Sequence, residues 1–203
     1  MKRSARKILI VLAYLALALG LCGCSLETSA ENLFTLPQVP VEYTGLANTL
    51  NTYLESGYEY ITPSSGNNIQ SLQMIDMDGD GEKEAVAFFR HTADDNPLKI
   101  LFFREENGTF SLYSTIESGG SSIDSVSFRD FNGDGRLEVV VGWRVSTEVQ
   151  TVAVYELVPN QVNMLMQSGY LRYVVDDLDS DGWFDLLLIR SEAEGGCLAE
   201  HYV

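Results

Sequence analysis

Three nine-residue stretches of this 203-residue chain place oxygen-bearing side chains at positions 1, 3, 5 and 9 and a glycine at position 6. They are Asp76-Met77-Asp78-Gly79-Asp80-Gly81-Glu82-Lys83-Glu84, Asp130-Phe131-Asn132-Gly133-Asp134-Gly135-Arg136-Leu137-Glu138 and Asp177-Leu178-Asp179-Ser180-Asp181-Gly182-Trp183-Phe184-Asp185. Alternate acidic side chains on a tightly turned loop can converge on one hard cation. Ca²⁺ takes roughly six to eight oxygens, and a backbone carbonyl at position 7 adds a ligand to the carboxylates. The glycine at position 6 allows the sharp turn that this convergence needs. The chemistry written into the spacing is therefore cation binding by hard oxygen donors.

Two other loops open in the same way. An EF-hand requires a bidentate Glu at position 12 between two helices, whereas position 12 here is Ala87, Val141 or Leu188. Met74-Ile75-Asp76-Met77-Asp78-Gly79 is similar to the strand and Asp-x-Asp-Gly of the haloacid dehalogenase phosphotransferases. A nucleophilic Asp is needed only once, however, and the Ser or Thr that usually follows is here Asp80.

The loops must be positioned by what surrounds them. Each is followed at once by a short apolar run, Glu84-Ala-Val-Ala-Phe-Phe, Glu138-Val-Val-Val-Gly-Trp or Asp185-Leu-Leu-Leu-Ile-Arg, whose composition predicts a buried strand. The first repeat reads as strand (69–75), loop, strand (85–90), polar turn, strand (98–104), turn, strand (109–116). Asn107-Gly108 between apolar runs signals a tight hairpin. The second repeat has the same order over 123–128, 139–145, 151–158 and 162–166. The third, 171–175, 186–189 and 197–203, stops after three strands. Loop starts lie 54 and 47 residues apart, a spacing that fits one four-stranded antiparallel unit per repeat.

The triple Asp-x-Asp/Asn-x-Asp-Gly-x-x-Asp/Glu loop followed by an apolar strand resembles the FG-GAP/VCBS repeats, calcium-loop blades of integrin α-subunit heads and of many exported bacterial proteins. The resemblance covers about residues 69–203, although the Phe-Gly and Gly-Ala-Pro elements that name the family are not evident. It implies an all-β fold: a partial β-propeller of about three four-stranded antiparallel blades, the third incomplete, with blades near 69–118, 119–168 and 169–203. It also implies about three Ca²⁺ sites. Carried over by position, their side-chain ligands are Asp76, Asp78, Asp80 and Glu84; Asp130, Asn132, Asp134 and Glu138; and Asp177, Asp179, Asp181 and Asp185. Glu82, Arg136 and Trp183 supply carbonyls.

Upstream, residues 1–23 carry Lys2, Arg3, Arg6 and Lys7, then an apolar run, then Leu21-Cys22-Gly23-Cys24. This is similar to a bacterial lipoprotein signal peptide, in which Cys24 is the lipidated residue. The apolar run is too short to span a bilayer, which takes roughly 20 residues. Residues 24–40 read as a tether. In the following segment, 41–68, Leu46, Leu50, Tyr53 and Leu54 recur at helical spacing before Gly57, which predicts one short amphipathic helix packed on the repeats and then a loop.

The formal charge is −16, and without residues 1–23 there are 9 basic against 29 acidic residues, or −20. Such a surface repels nucleic acid and anionic lipid head groups. Only Cys24 and Cys197 would remain after processing at Cys24, so no disulfide framework is expected. Together these features predict an exported protein, lipid-anchored through Cys24 at the outer face of the cell membrane. There it would act as a non-catalytic binding or scaffold module, with a protein or glycan partner at the loops 91–96 and 145–150. Open strand edges in an incomplete ring would also invite self-association. The second reading is a propeller-based hydrolase or lyase. It has only His91 and His201 as histidine bases, and its best-placed carboxylates are already assigned to calcium.

Overall fold

The computed structural model describes residues 43–158, 161–192 and 195–202. Among these, helix α1 (Thr44–Glu55) comes first. It ends where Gly57 adopts a left-handed φ of 93°. That turn brings the Tyr58 N–H back to the Tyr53 carbonyl at 3.1 Å and satisfies one of the helix's free acceptors. The helical stripe of the sequence buries Leu46 and Leu50.

Among the described residues twelve strands follow, all paired antiparallel, in three sheets. The first contains β1 (Glu59–Tyr60), β2 (Leu72–Ile75), β3 (Glu84–Arg90), β4 (Leu98–Glu106) and β5 (Thr109–Ser118). The second runs in the order β6 (Ser122–Arg129), β7 (Glu138–Arg144), β8 (Gln150–Val158), β9 (Gln161–Gly169). The third is β10 (Arg172–Asp176), β11 (Asp185–Ser191) and β12 (Cys197–Tyr202). Asn107 and Gly108 both take positive φ, 53° and 79°, in the tight turn between β4 and β5, the geometry that favours Asn-Gly in two-residue hairpins.

The layers stack in series, each sharing a core with the next. Leu46 and Leu50 of α1 pack on Ala85, Ala87, Phe89, Leu101 and Phe103, one face of the first sheet. Its other face presents Val86, Phe88, Ile100 and Phe102 to Val126, Phe128, Val139, Val141 and Trp143 of the second sheet. The far face of the second sheet, with Val140, Val152 and Val154, meets Leu186 and Leu188 of the third. Strands β3 and β7 are thus covered on both faces, and this is why their sequences are continuous apolar runs without the alternation of a half-exposed strand.

This arrangement corrects the propeller reading. The described residues form three separate open sheets of five, four and three strands, not a closed radial ring. No core cluster among them joins the third sheet to the first. The first sheet also gains β1, which pairs with the far end of β3 through Glu59 with Arg90 and Tyr60 with Phe89. Two residues are too few to show a period-2 pattern, so this strand was invisible in the sequence.

The functional picture built on that fold is corrected with it. An exported, lipid-anchored propeller serving as a scaffold, and its alternative, a propeller-based hydrolase or lyase, both require an assembly that these sheets do not make. The lipoprotein, signal-peptide and membrane-anchor readings fall on residues 1–40, including Cys24, which lie outside the described residues. Among the described residues no helix is long and apolar enough to cross a membrane.

Because Leu46 is fully buried between α1 and the first sheet, Leu46→Ala is expected to lower unfolding free energy by about 2 to 5 kcal/mol. Asn51→Ala, on the exposed face of the same helix, serves as the neutral control. Urea titrations of the two variants check the docking of α1.

Candidate metal centres

All three acidic loops connect the first strand of a repeat to the second, leaving β2, β6 or β10 and entering β3, β7 or β11. They share one hydrogen-bonded framework. The position 1 carboxylate spans two backbone N–H groups: Asp76 accepts from Gly79 at 2.8 Å and Gly81 at 3.0 Å. Asp130 accepts from Gly133 at 2.7 Å and Gly135 at 2.9 Å, and Asp177 from Asp181 and Gly182, both at 3.1 Å. The position 5 carboxylate accepts the N–H of position 7: Asp80 from Glu82 at 2.8 Å, Asp134 from Arg136 at 2.8 Å and Asp181 from Trp183 at 2.9 Å. Such turns mimic backbone turns with a side-chain acceptor.

Position 9 is the buried member. Glu84, Glu138 and Asp185 are 2, 1 and 3 % exposed and open β3, β7 and β11. In each, one carboxylate oxygen accepts the N–H of loop position 2, from Met77 at 2.8 Å, Phe131 at 2.9 Å and Leu178 at 2.8 Å. Two left-handed residues shape every loop. Position 6 is Gly81, Gly135 or Gly182, as the motif requires, and position 4 is Gly79, Gly133 or Ser180, with φ of 73°, 74° and 64°. The second of these turns was not legible, because a serine stands there in the third loop and a non-glycine residue rarely adopts such a φ.

These frameworks bring acids together. Carboxylate oxygens of Asp76, Asp78 and Glu84 lie within 4.8 Å of one another, and so do those of Asp177, Asp179 and Asp185. In the first loop Asp78 Oδ1 is buried and has no hydrogen-bond partner. A buried, unsatisfied carboxylate oxygen is costly, and a cation would relieve it. The donors are hard oxygens throughout, a set suited to Ca²⁺ or Mg²⁺ rather than to softer transition metals. Among the described residues, Asp80 and Asp181 are tied to backbone N–H groups and do not join these two clusters.

The second loop is built differently. Position 3 is Asn132, whose Oδ1 accepts the Asp134 N–H at 2.9 Å while its Nδ2 points at Asp134 Oδ2, 3.4 Å, and Glu138 Oε1, 3.5 Å. Position 3 here carries an amide in place of a carboxylate, so the three-carboxylate cluster that positions 1, 3 and 9 make in the other loops is not formed.

Two of the loops also receive a donor that the motif does not contain. Arg104 of β4 donates from Nη2 to Asp78 Oδ2 and from Nε to Glu84 Oε1 at 3.2 Å. In the third loop, His201 Nε2 of β12 lies 3.1 Å from Asp185 Oδ1. The three loops touch in sequence. The Leu137 N–H donates to the Met77 carbonyl at 2.9 Å. A Cβ added to Gly79 would fall 2.5 Å from the Gly135 carbonyl oxygen, and one added to Gly133 would collide with the Trp183 indole. Trp183, expected to contribute a carbonyl, thus also covers the neighbouring loop with its ring.

With this geometry in view, comparison with known proteins finds a family model described as FG-GAP-like repeat that matches residues 76–141. The match runs from the first acidic loop through the second and into β7, about a third of the chain, and the third loop lies beyond it. No curated protein matches the chain.

Burial is the largest influence on Glu84 and Glu138 and pushes both carboxyls up. For Glu84 the Met77 N–H opposes it and the Asp78 charge adds to it, with Arg104 opposing. For Glu138 the Phe131 N–H opposes, and Asp134 and Asp130 add. A carboxyl raised in the folded state binds protons more tightly there than in the unfolded chain. Cation-free protein is therefore expected to lose stability from these two groups as pH rises from the ordinary Glu range, about 4.3, through the raised values. Thermal melts of metal-stripped protein across that range should show a shallower loss for Glu138→Gln than for wild type. An identical pH profile for the two proteins would contradict the shift.

Proposed function

We propose that the chain is a calcium-binding, non-catalytic β protein in which Ca²⁺ at the acidic loops fixes the junctions between first and second strands. One observation carries this reading: the same hydrogen-bonded loop is built three times, each time ending in a buried carboxylate at the head of the middle strand. In two of the loops, three carboxylates converge within the span of a single ion. Nucleophilic or acid–base chemistry is needed at one place, whereas a device repeated at each strand junction serves the fold.

Ca²⁺ is favoured over Mg²⁺ by the irregular mixture of carboxylate, amide and carbonyl oxygens, because Mg²⁺ demands near-ideal octahedral geometry and retains its water. Asp76, Asp78 and Glu84 would hold the first ion, and Asp177, Asp179 and Asp185 the third. In the second loop, Asp130, Asp134 and Glu138 would do so after the Asn132 amide turns its oxygen inward. The carbonyls of Glu82, Arg136 and Trp183 would complete the sets. Bound ions offset the mutual repulsion of closely spaced carboxylates, which otherwise favours opening of the loops.

An ion that binds only the folded state stabilises it by RT ln(1 + [L]/Kd). Free calcium about tenfold above Kd therefore adds about 1.4 kcal/mol per site and about 4 kcal/mol for three. Against a whole-domain stability of about 5 to 15 kcal/mol, the rise in Tm between chelator and millimolar calcium should be plain. Asp179→Asn is expected to remove part of that rise. Equal melting temperatures with and without calcium would refute the proposal, and a larger rise with magnesium would reassign the ion.

A further inference from the structure

The first loop differs from the others in carrying a guanidinium that bridges two of its carboxylates. Arg104 lies in β4 one residue beyond the paired couple Ala85 and Phe103, which puts it opposite Glu84. Its guanidinium joins Asp78 and Glu84, two of the three carboxylates that converge in that loop. The seat is built from the other side as well. The register between β4 and β5 shifts between Phe102 and Phe103, whose partners are Ser114 and Leu112, so Tyr113 is the extra residue of a bulge. The bulge places the Tyr113 ring 4.9 Å from the Arg104 guanidinium carbon, a cation–π distance. Bulges re-aim side chains in this way.

The second repeat has the same bulge, between Val154 and Tyr155, but the extra residue there is Leu165, which is exposed. One residue beyond its last couple, Val139 and Tyr155, stands Glu156, held by Asn163 Nδ2 at 3.0 Å. At equivalent register positions, opposite Glu84 and opposite Glu138, the first repeat therefore has an arginine and the second a glutamate.

We propose that Arg104 is a tethered counter-cation that competes with the metal at the first loop and makes it the weaker of the two clustered sites. This inference rests on the cation-binding reading above. A guanidinium donating to both Asp78 and Glu84 occupies acceptors that the ion needs, so binding must first displace it. The apparent Kd then rises by the inverse of the fraction of molecules in which Arg104 has swung away. Displacement is feasible because Arg104 is a partial substitute: it satisfies Asp78 Oδ2 and leaves Asp78 Oδ1 buried without a partner, and its side chain is 36 % exposed. The net contribution of a hydrogen bond to a charged group corresponds, at its lower end, to roughly a tenfold population bias.

Calorimetric titration of the full chain with CaCl₂ alone tests this, using wild type, Arg104→Gln, Arg104→Lys and Asp76→Asn. Wild type is expected to show a weaker class of site that Asp76→Asn removes. Arg104→Gln should tighten that class about tenfold and leave the others unchanged, and the gain should vanish in the Arg104→Gln/Asp76→Asn double variant. Arg104→Lys, which keeps the charge without the fork of donors, should fall between. Thermal melts supply a second reading. Arg104→Gln should melt lower than wild type in chelator and show a larger rise on adding calcium. A purely structural arginine would lower both melting temperatures equally and leave the binding constants alone, and that result would overturn the proposal. If wild type and all variants bind no calcium, the cation reading falls and this one with it. If wild type binds but Arg104→Gln leaves every constant unchanged, only the role of Arg104 falls.

Discussion

The bond on which the architecture depends is the one between the buried carboxylate at the head of each middle strand and the backbone N–H at loop position 2. Glu84, Glu138 and Asp185 are almost entirely removed from solvent, and burying an ionised carboxylate is unfavourable unless its oxygens are engaged. Taking the N–H of Met77, Phe131 or Leu178 engages one oxygen, and the other meets Arg104, the Asn132 amide or His201. That single contact closes the loop over the end of the strand pair, and it obliges the strand that follows to run into the core. Strands β3, β7 and β11, which carry buried residues into all three core clusters, start from this point.

Serial stacking follows from what those strands present. Alternate residues of β3 face α1 and the second sheet, and alternate residues of β7 face the first sheet and the third. A sheet buried on both faces needs a cover on each side, and α1 is that cover for the first sheet. The acidic loops stand side by side along one end of the stack. Met77 to Leu137 and Gly79 to Gly135 are backbone contacts, and Gly133 lies against the Trp183 indole ring. Close approach at Gly79 and Gly133 explains glycine at position 4 of the first two loops more fully than the left-handed turn alone, since Ser180 makes the same turn in the third.

The sequence made the loops and most strands legible for a physical reason. Both signals are local: oxygen donors at fixed spacing, and apolar runs of strand length bounded by turns. The helix was legible from Leu46, Leu50, Tyr53 and Leu54, and the hairpin from Asn107-Gly108. What was missed depends on pairing register. Arg104 is 20 residues from Glu84 and 26 from Asp78, and nothing in either neighbourhood signals that β4 will deliver it to the loop. The same holds for His201 at Asp185, for the bulge that turns Tyr113 toward Arg104, and for the pairing of Glu59 and Tyr60 with the end of β3.

The error in the larger architecture has the same origin at a longer range. A repeat of strand, loop and three further strands specifies each sheet, since turns and alternation act over a few residues. How sheets pack on one another depends on the shape of their faces and on what covers the outermost ones. The inner faces, such as Phe88 and Phe102 against Val139 and Trp143, are apolar in any stacking order, and a ring or an open series would use them equally well. A family resemblance supplies the ring by analogy, but analogy carries a repeat unit more securely than the number and closure of its copies. The charged loops discriminate better than the apolar faces, because carboxylates tolerate few neighbours. A guanidinium, an amide and an imidazole meet them at Arg104, Asn132 and His201. Three copies of one motif thereby acquire three different settings on a shared loop framework.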